Sequence, residues 1–192
     1  MLDQNKIISI IKEDKWMMEL LKLVESLHLP DWWICAGFVR SIVWDILHNF
    51  EERTPLADID VIYFDPKNID EAADLFLEEK LSFLNPTVPW SVKNEARMHV
   101  KSNMPPYQSS VDAISKFPET ATAIGVKLDD QDRIVLTAPH GIKDLINLEV
   151  KPTIHFQKKK ERIAIYKNRI NQKNWKLRWN QLKIHYKVII AN

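Results

Sequence analysis

Apolar positions along the chain change their period several times, and each change marks an element. Ile7, Ile8, Ile10 and Ile11, then Trp16, Met17, Leu20, Leu21 and Val24, recur at helical steps. This predicts one or two helices over residues 4–27, with Asp14 as an intermediate cap and Leu29-Pro30 as the stop. Trp32 to Ala36 is a short apolar run ending at Gly37, the pattern of a strand that meets a glycine turn. Phe38, Val39, Ile42, Val43, Ile46 and Leu47 then return to helical spacing, so one side is expected to be buried while Arg40, Ser41 and Asp45 face elsewhere. From Asp58 the period becomes two. Ile59, Val61 and Tyr63 share one strand face, which places Asp58 and Asp60 together on the other. Two neighbouring carboxylates repel each other and favour a cation.

Asn68 is placed to cap a helix running to about Phe83, with Ala72, Ala73, Phe76, Leu77 and Leu81 inward. Two Pro-containing pairs, Asn85-Pro86 and Val88-Pro89, break the chain. Trp90 to Val100 alternates and predicts a strand with Lys93, Glu95, Arg97 and His99 on one face. That face is either a solvated sheet face or a continuation of the acidic site. Ser109 or Ser110 can cap a short helix carrying Asp112. Residues 120–128 and 133–137 read as strands about the polar turn Asp129 to Asp132. Residues 157–172 predict a basic helix with Ile163, Ile165, Tyr166 and Ile170 as its apolar side, and Trp175 and Trp179 can cover one side of a further turn. Interleaved Lys, Arg and Trp would suit contacts with phosphates and bases. Aromatic residues at helical spacing also dock on cores, and docking is the expectation here, with the Lys and Arg heads exposed.

The segment Gly37-Phe38-Val39-Arg40, followed after a helix by Asp58-Ile59-Asp60-Val61, resembles the glycine-turn and Asp-x-Asp signature of the DNA polymerase β-like nucleotidyltransferase superfamily. Trp90 to His99, Tyr107 to Thr122 and Ala138 to Leu148 extend the likeness to a bacterial family of nucleotidyltransferases within it, over nearly the whole chain. The fold implied is α/β or α+β: a small mixed sheet bearing the Asp-x-Asp strand, flanked by helices, with a basic helical C-terminus.

The resemblance implies a Mg²⁺-dependent transfer of a nucleoside monophosphate from an NTP to an acceptor hydroxyl on RNA, protein or a small molecule. Asp58 and Asp60 would bind two Mg²⁺ ions, with Mn²⁺ as the alternative metal, because hard divalent ions take carboxylate oxygens. Gly37, Arg40 and Ser41, at the start of the helix, would face the phosphates. Phe38 stands where the superfamily has Gly or Ser, so its bulk would narrow the pocket or replace a phosphate contact. Glu95 is the first candidate for the third carboxylate and metal ligand, and Asp112 the second. Without a third acid the chain would be a weak or inactive nucleotide- or RNA-binding module of the same fold.

Composition adds limits. With 192 residues, 45% of them hydrophobic, the chain can bury a core of its own. Residues 1–152 are expected to form the main domain and 153–192 a basic helical extension packed on it. No apolar run is long enough to span a bilayer and the N-terminus does not read as a signal peptide, so a cytoplasmic protein is expected, with no membrane partner. A single cysteine, Cys35, excludes an internal disulfide. The net charge of +1 conceals a segregation. Residues 1–150 carry 15 Lys and Arg against 25 Asp and Glu, whereas residues 151–192 carry 12 against one. Such a tail either folds back on the acidic body or meets a polyanion such as nucleic acid.

Overall fold

Side-chain caps start the helical layer. In the computed structural model, which describes residues 2–101 and 104–186, Asp3 accepts the Lys6 N–H at the start of α1 (Gln4–Glu13). Asp14 accepts the Met17 N–H at the start of α2 (Lys15–Glu25). The apolar faces of both helices bury Ile7, Ile11, Met17, Leu20, Leu21 and Val24 completely. They lie on a five-stranded sheet made of β1 (Trp33–Cys35), β2 (Ile59–Tyr63), β3 (Trp90–Asn94), β4 (Gly125–Leu128) and β5 (Ile134–Thr137). The strand order is β3-β2-β1-β4-β5. Within this sheet β2 and β3 are parallel and the other pairs antiparallel. Between β1 and β2 runs α3 (Gly37–Leu47), and between β2 and β3 runs α4 (Glu71–Leu84).

The two-residue period of β2 sorts its side chains as expected. Ile59, Val61 and Tyr63 enter the large core under the helices. On the opposite face Ile62 joins Trp33 and Cys35 in a second cluster, covered by Ile114 of α6 (Ser110–Ile114), a helix that Ser109 caps through the Asp112 N–H.

Three sequence expectations are corrected. The strand from Trp90 stops at Asn94, because the Asn94 side-chain oxygen accepts the Ala96 N–H and starts α5 (Glu95–Lys101). Arg97 and His99 are therefore helical. Second, α4 starts after Asp70, not Asn68, and turns Asp74 inward while Phe76 is exposed. Asp74 is wholly buried because the Tyr63 hydroxyl, the Asn94 N–H and Arg97 all donate to it. Third, Arg40, Ser41 and Asp45 of α3 are all buried.

The C-terminal segment explains that third correction. After α7 (Lys143–Ile146) and β6 (Glu149–Val150) come α8 (Ile154–Gln157) and α9 (Lys160–Lys173), a short 3-10 turn at Trp175–Leu177, and β7 (Lys183–Ile184) parallel to β6. Trp175 and Trp179 lie edge-on to Trp44 of α3, at 5.6 and 5.1 Å between ring centroids. Asp45 accepts from the Trp179 indole N–H at 2.8 Å and from the Thr54 hydroxyl at 2.6 Å. Residues of the tail thus complete the main core. Residues 187–192 of the expected extension lie outside the described residues. No helix among the described residues is long and apolar enough to cross a membrane.

Candidate active site

The turn between β1 and α3 is built around Ala36. Ala36 has φ 51° and ψ −110° and carries no capping side chain. A residue with a Cβ is strained there, and such strain clusters at functional turns. The sequence assigns the turn geometry to Gly37, but Gly37 is the first helical residue, and its φ is not in the left-handed region. A Cβ at Gly37 would make only ordinary contacts, with the Arg40 guanidinium at 3.5 Å and Leu56 at 3.8 Å, so packing within the protein does not itself demand a glycine there. Gly37 and Ala36 line one small cavity of about 120 Å³ together with Arg40, Asp58, Asp60, Arg169 and Lys173.

Asp58 immediately precedes β2 and Asp60 lies two residues on, both half-buried on the same face. Burial first, and then the Asp58 charge, push the Asp60 carboxyl above its ordinary value, while Arg169, Arg40 and Lys173 oppose the rise. Asp60 also opens onto a neighbouring cavity of about 210 Å³, shared with Lys93, Glu95, Thr122 and Arg169. Register explains the company of Glu95: Ser91 and Lys93 of β3 pair with Asp60 and Ile62 of β2, so Glu95, the next odd residue, emerges on the acidic side. On the other flank a cavity of about 500 Å³ is lined by Ser41, Pro55, Leu56, Trp175 and Arg178, besides Gly37, Arg40 and Asp58. Shared residues join the three cavities into one cleft with Asp58 and Asp60 between its two ends.

The donor chemistry fits a hard divalent cation. Two neighbouring carboxylates that repel each other gain from such an ion, and Mg²⁺ is commonly held by one or two carboxylates with water and phosphate oxygens. Among the described residues no three His, Cys, Asp or Glu side chains form a ready metal cluster. Asp58 and Asp60, which line the same small cavity, match that two-carboxylate pattern. Glu95 faces Asp60 electrostatically, whereas Asp112 lines none of the three cavities and is paired with Lys116 and the Gln108 N–H.

Burial, then Asp60 and Asp74, push Glu95 up from 4.5 to about 7, although Arg97 opposes this. The sign for stability follows from proton linkage. Between pH 4.5 and about 7 folded Glu95 holds a proton that the unfolded chain has released, so stability falls as pH rises through that window. Glu95→Gln should remove this slope and raise stability at pH 8 by roughly 1–3 kcal/mol. Urea unfolding at pH 5 and pH 8 with a chelator present would measure it, and an unaltered slope would refute the assignment.

Arg40 is 7% exposed. Its guanidinium sits 4.5 Å from the Trp175 ring centroid and 5.2 Å from that of Trp44, and its Nε has no hydrogen-bond partner. Burial brings its pKa down to about 10, with Glu119 opposing. Phe38 departs from expectation: it packs against Trp16 at 5.9 Å in the core and lines none of the three cavities, so it neither narrows the cleft nor reaches it.

Sequence reasoning missed Arg169, Lys173 and Glu119. The first two are four residues apart on α9, a spacing that places them on one helix face, and that was the available signal. Buried Glu119 had none. Arg97 does not reach the cleft and is structural: it pairs with Asp74 and Glu71, while the Asn94 amide satisfies backbone groups, donating to the Asp65 and Asn68 carbonyls at 2.8 Å.

A family model described as nucleotidyltransferase matches residues 22–184. Among solved structures, a protein whose NMR structure reveals a CCA-adding enzyme head domain is 35% identical, with a TM-score of 0.87 over 95% of this chain and 96% of that one. A Thermotoga maritima CCA-adding enzyme in complex with tRNA is 16% identical, with a TM-score of 0.57 over 96% of this chain and 42% of that one. A CCA-adding enzyme in complex with CTP is 15% identical, with a TM-score of 0.59, and this chain spans 43% of its length. These two distant likenesses concern the fold. No curated protein matches the chain.

Proposed function

The chain belongs to the nucleotidyltransferase family, and from that membership we propose that it moves a nucleoside monophosphate from an NTP to an acceptor hydroxyl in the cleft at Asp58 and Asp60. The observation that supports this reading is the shared cavity, in which two carboxylates, the first residue of α3 and Arg40, whose buried Nε has no hydrogen-bond partner, converge. In the reaction the acceptor oxygen forms a bond to the α-phosphorus, the bond from that phosphorus to the bridging oxygen breaks, and pyrophosphate leaves. Mg²⁺ held by Asp58 and Asp60 would supply charge neutralisation. Gly37, Ser41 and the first-turn N–H groups of α3 face the phosphates, since a helix start favours anions. Glu95, which lines a cavity with Asp60, would in its ionised form take the hydroxyl proton. The nucleoside occupies the 500 Å³ end, bounded by Pro55, Leu56 and Trp175.

The acceptor is a hydroxyl of a nucleic acid. Exposed Lys158, Lys159, Lys160, Lys167 and Lys176 give the tail a cationic surface suited to a phosphate backbone. A second reading, a binding module without efficient transfer, has one observation in its favour: the three acids do not form a ready cluster.

Titration with each of the four NTPs, with and without Mg²⁺, followed residue by residue by NMR, tests the site. Metal-dependent shifts at Gly37, Arg40, Asp58 and Asp60 are expected. A folded sample with no response there would overturn the nucleotide site. Binding without turnover on any offered RNA would favour the binding module.

A further inference from the structure

Three cations reach the small cavity beside the acidic pair, and their donors are largely unused. Lys173 is exposed and makes no hydrogen bond or ion pair among the described residues. Arg169 spends its Nε on Glu119 at 2.9 Å, and its other guanidinium nitrogens have no acceptor among the described residues. Arg40 donates only a 3.4 Å contact from its terminal nitrogen to the Ser41 hydroxyl, and its buried Nε has no partner. Asp58 and Asp60 line the same cavity, yet neither forms an ion pair with any of the three. Cations that stand beside Asp58 and Asp60 without pairing with them, and that keep unused donors, are suited to a further anion, one that arrives with its own counter-cation.

The helix that carries two of them is oriented by a buried anchor. Glu119 is 0% exposed. One of its oxygens takes the Arg169 Nε–H, and the other takes the Thr122 hydroxyl at 2.7 Å. A wholly buried carboxylate with two fixed donors holds the Arg169 side chain at its root and leaves the outer nitrogens toward the cleft, where Arg169 lines both cavities that meet at Asp60. One turn on, Lys173 lines the small cavity and the 500 Å³ one. The two side chains thus follow the cleft past the acidic pair.

We propose that α9 is a polyphosphate clamp: Arg169 and Lys173 hold the β- and γ-phosphates of the NTP, and Glu119 is the positioning residue for Arg169. The proposal rests on the nucleotide-transfer reading above and deepens it. It assigns part of the basic tail to the substrate's leaving group, not to nucleic acid. It also makes the cleft selective for triphosphates over monophosphates, since only the former present anionic oxygens beyond the α-phosphate.

Binding without turnover tests it on the full chain. The probes are the α,β-methylene analogues of the four NTPs, the four nucleoside monophosphates and inorganic pyrophosphate, each with Mg²⁺, measured by calorimetry. Lys173→Ala and Arg169→Ala are each expected to weaken the best triphosphate analogue and pyrophosphate by about 10- to 100-fold, the span of a charged hydrogen bond. The matching monophosphate should change by less than about 3-fold. Glu119→Ala should match Arg169→Ala on the triphosphate, and the double variant should be no worse than either, as expected for two groups acting as one unit. Additive losses would remove Glu119 from the positioning role. Lys173 is exposed, so its variant reports on the clamp even if loss of buried Glu119 unfolds the chain. Equal weakening of triphosphate and monophosphate, or no weakening, would overturn the clamp while leaving the nucleotide site standing. A wild-type chain that binds none of the probes would overturn both.

Discussion

Asp60→Asn is expected to lower pyrophosphate release from NTP by at least about 100-fold, because removing even an outer partner of a metal ligand costs 10–100-fold in affinity or activity, and Asp60 is here a candidate ligand itself. The substitution keeps size and shape, and burial with the Asp58 charge already disfavours the ionised form of Asp60. Loss of that charge should therefore leave stability unchanged or slightly higher. A readout independent of the acceptor is the broadening of NMR signals by Mn²⁺ used as a paramagnetic stand-in. In the wild type, Gly37, Asp58 and Val61 should broaden at low Mn²⁺, and in Asp60→Asn they should stay sharp. A variant that broadens the same residues at the same Mn²⁺ concentration, with an undiminished rate, would remove Asp60 from the metal site.

Trp44→Ala is expected to give the largest loss of stability, about 3–5 kcal/mol. Trp44 is 0% exposed, donates its indole N–H to the Leu145 carbonyl at 3.2 Å, and carries the edges of Trp175 and Trp179. Its removal opens a cavity where the tail meets α3. A second effect should accompany the first, since Arg40 is held between these rings and loses one wall of its enclosure. Urea unfolding measures the loss, and amide exchange over residues 175–184 shows whether the tail loosens before the sheet. A loss below about 1 kcal/mol, the level of an ordinary surface change, would mean that the tail is anchored elsewhere.

Much of the local order could be read from the chain. The helices around Ile7 and Leu20, the Asp14 cap and the paired faces of β2 follow from short-range periods, which sterics impose on any chain. The resemblance to nucleotidyltransferases, carried by Gly37 to Arg40 and Asp58 to Val61, is shown by the family match over residues 22–184, and the mixed sheet flanked by helices is the fold observed. Less legible were elements whose ends depend on one side-chain bond. Asn94 ends a strand and starts a helix by accepting the Ala96 N–H, and alternation continued past it in the sequence without a sign of the change.

The β2 face that carries Asp58 and Asp60, the helix that begins at Gly37 and the segregation of basic residues after position 150 are all legible in the chain, because each depends on near neighbours or on composition. What those parts meet depends on the folded arrangement. Asp45 and Arg40 read as free polar positions on α3 until Trp179, 134 residues from Asp45, closed over them. Arg169 read as one cation among many until Glu119, 50 residues away, fixed it beside Asp60. Burial and electrostatic environment are sums over atoms near in space, and no local period encodes which distant residues those will be.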